Sequence, residues 1–176
     1  STRGTTTASV SWDMNTAWDD TDTAHQSPDL TAIVQEIVQR SDWCGNNAMG
    51  FLFEEDGTGG LRVAYAYDGD PNYAPVLRID WDTTSAPNGC INQWTQRQVD
   101  SGADDAEETI SSGSVSTGGS QFDMQSSQIN GLRFEDVQIP QGAKIHEAYI
   151  TFTARDTDTG ASTLRFRNQR HDNAGE

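Results

Sequence analysis

Apolar residues recur with a period of two over most of the chain and with a helical period over one short stretch. In KIHEAYITFTAR (144–155), Ala148, Ile150, Phe152 and Ala154 share one face, while Glu147, Tyr149, Thr151 and Thr153 share the other. In APVLRIDW (74–81), Leu77, Ile79 and Trp81 alternate with Arg78 and Asp80, which predicts a strand with one wet face. Further strands are expected at TTTASVSW (5–12), AMGFLFE (48–54), LRVAYAY (61–67), INQWTQRQVD (91–100), GLRFEDVQIP (131–140) and ASTLRFRNQR (161–170). Turn chemistry separates several of them, at Glu55–Gly60, at Asp68–Asn72 and at Asp156–Gly160.

The exception to the two-residue period is 30–38. Leu30, Ile33, Val34, Ile37 and Val38 fall on one helical face, with Gln35, Glu36 and Gln39 pointing away. Ser27 reads as an N-cap, Pro28 as the first helical residue and Asp29 as a first-turn acid. Eight or so short strands with one amphipathic helix predict an all-β fold, an antiparallel β-sandwich. No repeat of 20 to 50 residues is visible, which excludes a solenoid.

Composition narrows the picture. The 176 residues are only 34% apolar, but five Trp, four Tyr and six Phe supply core material, so the chain is not of the disordered type. A net charge of −16 argues against nucleic acid and anionic membranes as partners. No apolar run approaches the ~20 residues of a membrane-spanning helix, so no membrane insertion is expected. The two cysteines, Cys44 and Cys90, are too far apart for a CxxC motif. A Cys44–Cys90 disulfide is the expectation, with two free buried thiols as the alternative. Closing that loop would constrain the unfolded chain by roughly 4 kcal/mol. A disulfide implies an oxidising compartment, so a secreted or cell-surface location is expected, and Ser1-Thr2-Arg3-Gly4 reads as a mature or trimmed start.

Candidate chemistry centres on acids. Asp104, Asp105, Glu107 and Glu108 form a dense run of hard oxygen ligands suited to Ca²⁺, with a solvated acidic loop as the plain alternative. The run at Asp156–Gly160 opens like a calcium loop, but its twelfth position is Arg167 rather than Glu, so a tight turn is expected there. Asp68-Gly69-Asp70 and Asp19-Asp20-Thr21-Asp22 read the same way. Glycoside hydrolysis needs a carboxyl group in an apolar setting, and none is evident in the sequence. Nucleophile motifs are missing too, and His25, His146 and His171 stand alone in the sequence, so no cofactor is required and no catalytic residue is assigned. Trp12, Trp18, Trp43, Trp94 and Tyr73 are candidate platforms for a polysaccharide, against the ordinary role of core aromatics.

The ordered series ASVSW, PDLTAIVQEIVQR, NNAMGFLFE and APVLRIDW resembles the C-terminal half of a jelly-roll module of the DNRLRE/disaggregatase-related kind. DDAEE, GLRFEDVQIPQGAKIHEAYITFTA, TLRFR and DNA are similar to the N-terminal half of the same kind of module. The resemblance implies a jelly-roll-like sandwich from bacterial or archaeal surface or pilus-associated proteins. The halves stand in permuted order: 1–82 of C-terminal type, 83–96 a linker, 97–176 of N-terminal type. Three readings stay open, namely a piece of a tandem-repeat protein, a permutant that folds on itself, or a subunit that donates one half to the next chain. The expected function is a non-catalytic structural or adhesive module that assembles head-to-tail with copies of itself or with neighbouring repeat modules. The alternative is a carbohydrate-binding module with structural Ca²⁺.

Overall fold

The computed structural model describes residues 4–83, 93–171 and 173–175. Its strands are β1 (Val10–Met14), β2 (Ala24–Gln26), β3 (Asn47–Glu55), β4 (Val63–Tyr65), β5 (Val76–Asp82), β6 (Gln93–Gln98), β7 (Asp105–Thr109), β8 (Ser114–Ser116), β9 (Gln121–Asp123), β10 (Gln128–Val137), β11 (Lys144–Thr153) and β12 (Ser162–Asn168), with one helix, α1 (Thr31–Val38). They form a six-stranded sheet in the order β1-β12-β3-β10-β7-β8, a four-stranded sheet in the order β2-β11-β5-β6, and a small ribbon, β4-β9. Every pairing among the described residues is antiparallel. The expected all-β, sandwich-like fold with one helix is therefore the observed one.

Strand alternation builds the core. Phe51 and Phe53 of β3, Leu132 and Phe134 of β10 and Leu164 and Phe166 of β12 are buried on one side. Leu77, Ile79 and Trp81 of β5 and Ala148, Ile150 and Phe152 of β11 are buried on the other. Phe152 joins the two sets, with its ring 5.5 Å from Phe53, 5.9 Å from Trp12 and 6.3 Å from Phe166. These tilted and edge-on contacts suit the aromatic quadrupole.

Three local expectations are corrected. The helix begins at Thr31, not at Pro28. Ser27 continues the alignment with β11 instead of capping: its amide donates to the Ile150 carbonyl (2.8 Å) and its Oγ accepts from the Ile150 amide (3.0 Å). The N-cap position is Leu30, without a side-chain cap bond, and Asp29 just before it accepts through Oδ1 from the Thr31 amide (2.9 Å) and hydroxyl (2.6 Å). The polar helix positions are also not idle. Glu36 accepts from the amides of Thr7 and Ala8 (2.9 Å each), and Gln35 bonds the Ala143 carbonyl and Ile145 amide (2.8 and 3.0 Å). The acidic run, read as a loop, is strand β7, because its backbone completes the ladder beside β10.

Phe53→Ala should cost about 3–5 kcal/mol, since the ring is fully enclosed between the sheets. A urea melt should show the midpoint moving down with the slope unchanged.

Candidate functional site: the seam between the half-sandwiches

Two of the nine strand pairings among the described residues, β10–β7 and β7–β8, lie within residues 97–176. The other seven join a strand of residues 1–82 to one further along the chain. The isolated bridges Thr5–Gln169, Trp18–Asp158 and Ala64–Ala154 do the same. No strand of the first half pairs with another strand of that half among the described residues. The halves interleave like the teeth of a zip. β3 lies between β10 and β12, and β5 between β11 and β6. Residues 4–14, near the start of the chain, are bound to 162–169 of the same chain.

Buried polar groups hold the same seam at the β4-β9 ribbon. The Asp105 carboxylate accepts from the Tyr67 amide (2.6 Å), Glu107 from the Asp123 amide (2.6 Å), and Asp158 from the Val63 amide (2.9 Å). Each bond satisfies a backbone donor that the short ribbon leaves unpaired. Arg62, fully buried, donates to the carbonyls of Leu61 (2.6 Å), Met14 (3.0 Å), Thr16 (3.0 Å) and Gly160 (2.7 Å). One guanidinium thus ties two distant segments, 14–16 and Gly160, to its own with a rigid fork that Lys lacks. Arg133 pairs with Asp104 and also donates to the Ala174 carbonyl (2.8 Å).

Burial sets the electrostatics here. Asp105, 2% exposed, has its pKa raised to about 6 by burial first, against the Tyr67 amide, and then by the neighbouring charges of Asp68, Asp104 and Glu107. Burial likewise raises Glu107, Asp158 and Asp104, with Arg133 opposing it at Asp104. This corrects the expectation that no acid sits in an apolar setting. Asp105 still faces the interior and bonds a backbone amide, so it is placed to hold the ribbon and is not open to a substrate.

The four acids proposed for Ca²⁺ do not converge. Asp105 and Glu107 point inward from β7, Glu108 lies on the opposite face by strand alternation, and Asp104 is engaged by Arg133. Among the described residues no group of three or more His, Cys, Asp or Glu is arranged to hold a metal. Within the other acidic turns, Asp70 accepts from the Asn72 amide (2.9 Å) and Asp22 from the Tyr65 hydroxyl (3.0 Å). Cys44 is exposed and its thiol donates to the Asp42 carbonyl (3.4 Å). No disulfide forms among the described residues, and Cys90, the expected partner, lies outside them.

The lone histidines have structural partners. His25 stacks on Trp18 (4.3 Å), His146 meets Asp82 (2.9 Å), and His171 accepts from the Asn173 amide (3.2 Å). Trp18 and Trp43 are buried, Trp12 packs on the core and Tyr73 lies 5.0 Å from Tyr65. Trp94 alone of the five candidate rings is largely in water. Arg62 carries no site motif in the sequence, and Glu55 and Asp158 figure there only within the turns at Glu55–Gly60 and Asp156–Gly160. A lone Arg opening the apolar run VAYA was the available signal.

The pairings define an antiparallel, sandwich-like all-β fold in which, among the described residues, every strand of residues 1–82 pairs only with strands further along the chain. No family model, curated protein sequence or solved structure matches the chain. Among the described residues no helix is long and apolar enough to cross a membrane.

The pH profile follows from these carboxylates. Asp105 has a folded pKa of about 6 against an ordinary 3.8, so between those values the folded state holds a proton that the unfolded chain releases. Its contribution to stability therefore falls as pH rises across that window. Asp29 and Glu55 have the opposite sign. Burial would raise them, but hydrogen bonds from Thr31 and Ala148 to the first, and from Thr58, Gly57 and Gly59 to the second, hold them below the ordinary carboxylate range. Their contribution is lost as pH falls through that range. Across pH 3.8 to about 6, therefore, Asp105 lowers the melting temperature as pH rises, while Asp29 and Glu55 lower it as pH falls through the ordinary carboxylate range. Asp105→Asn should raise it at neutral pH and flatten its decline with rising pH, as read by thermal melts across pH.

Proposed function

We propose that the chain is a non-catalytic structural or adhesive module of an exported surface protein, and that complementation between half-sandwiches is its working interaction. The observation that carries this reading is the pairing pattern: strands of 1–82 find partners only beyond that segment. A half with no internal ladder has two unsatisfied edges on each strand, and such edges seek a complement. In the structure the complement comes from the same chain. The same register is available to a second chain, because swapping identical elements creates no new contact that the monomer lacks. Repeated head-to-tail exchange then yields an open chain of modules rather than a closed ring.

The resemblance to jelly-roll surface modules supports this reading, as does the charge of −16, which keeps dense arrays soluble and discourages non-specific contact. The inward orientation of Asp105 and Glu107 supports a structural role over catalysis.

Refolding from denaturant tests exchange directly. Dilute refolding should return monomers, whereas refolding at high chain concentration should give dimers and longer polymers with the same strand content, resolved by light scattering after gel filtration. Monomer alone at every concentration would overturn assembly by half-exchange.

A further inference from the structure

The outer face of the four-stranded sheet carries a feature that the seam does not use. Trp94, on edge strand β6, is 59% exposed. The other large exposed apolar side chains among the described residues, Ile110 and Val115, lie at the β7-β8 end of the six-stranded sheet, so Trp94 is not part of an apolar patch. Its cross-strand neighbours are polar. Register places Trp94 opposite Asp80 and Asp80 opposite Glu147, with Gln96, Arg78 and Tyr149 in the next row. The Arg78 guanidinium sits over the indole, 5.0 Å from its centroid, and is itself held by Asp80 at 3.2 Å. A ring so braced loses little freedom when a ligand covers it.

Beside Trp94 runs an open groove of about 610 Å³, lined in part by Asn46, Gln93, Trp94, Thr95, Gln138 and Pro140. Its walls are fixed. Gly45 (φ +76°) and Asn46 (φ +57°) are both left-handed, and a Cβ at Gly45 would come within 3.2 Å of the Ile139 carbonyl. Thr95 is held by the Trp81 indole N–H, at 3.3 Å. Amides and a hydroxyl that both donate and accept, on the far side of the β6 edge from an aromatic plane, match an extended ligand with apolar ring faces and hydroxylated rims. Charge selects further. Asp80 and Glu147 in the Trp94 row, on a chain of net charge −16, repel anionic sugars and a second acidic copy alike.

We infer that Trp94 and the adjoining groove form a binding site for a neutral polysaccharide that crosses the β6 edge, with the indole stacking on one sugar ring at the outer face and Asn46, Gln93 and Gln138, on the other side of the strand, bonding hydroxyls of neighbouring units. This is a function separate from half-exchange, and either can fail without the other.

The test uses the full chain with cellohexaose and chitohexaose as neutral probes and polygalacturonate as the acidic one, followed by tryptophan emission and calorimetry. At least one neutral probe should bind and shift the emission, and the acidic polymer should not bind. Trp94→Ala, an exposed change that should leave the melt unaltered, should weaken binding by roughly tenfold or more, and Trp94→Phe should retain part of it. Failure of both neutral probes, preference for polygalacturonate, or undiminished binding by Trp94→Ala would each overturn the site. So would a shift from oligomer to monomer in Trp94→Ala with no sugar bound by the parent, which would assign the ring to a contact between copies.

Discussion

The insertion of β3 between β10 and β12 is the constraint on which the rest of the molecule depends. β3 supplies Phe51 and Phe53 to the centre of the core, yet both of its neighbours come from the far half of the chain. Until they arrive, its amides and carbonyls on both sides are open, and its phenylalanines have no opposing sheet. The core therefore cannot mature locally. Loop closure precedes its reward, which places the fold among those dominated by non-local pairing and correspondingly slow to form. The proposed exchange between chains rests on the same dependence.

Charged groups are arranged around that constraint. Against 27 acids the chain has only 11 Lys and Arg, and several of these sit where distant segments meet. Arg62 gathers carbonyls from the end of β1, the turn after it and the turn before β12, Arg133 joins β10 to Asp104 and Ala174, and Arg97 of β6 donates to the carbonyl and carboxylate of Asp136 (2.7 and 2.9 Å). Buried carboxylates complete the pattern by taking amides of the β4-β9 ribbon. Such groups add modest net stability, because desolvation offsets much of each bond. Their stronger effect is on register, since a shifted ribbon would strand a buried charge.

The two faces of the molecule divide the work. The inward faces are spent on joining the halves. Among the described residues Trp94, braced by Arg78, is the one large exposed apolar side chain of the four-stranded sheet, and the proposed sugar contact at the β6 edge and the proposed assembly contact use different surfaces. One chain can then lie in a polymer of modules and still present a ligand face.

Local alternation and composition were enough to determine the all-β class, the single helix and most strand positions, because burial of one strand face writes itself into every second residue: Ala148, Ile150 and Phe152, or Leu77, Ile79 and Trp81. The sequence left open whether the halves meet within a chain, since the same edges would accept either partner, and the tertiary structure shows them closed on each other. It also left Ser27, Asp29 and the acidic run misplaced, because caps and strand edges depend on neighbours far along the chain. The roles of Arg62, Asp105 and Trp94 were decided by tertiary structure alone. An isolated Arg, Asp or Trp carries no local mark of whether distant carbonyls, a buried amide or open water will surround it.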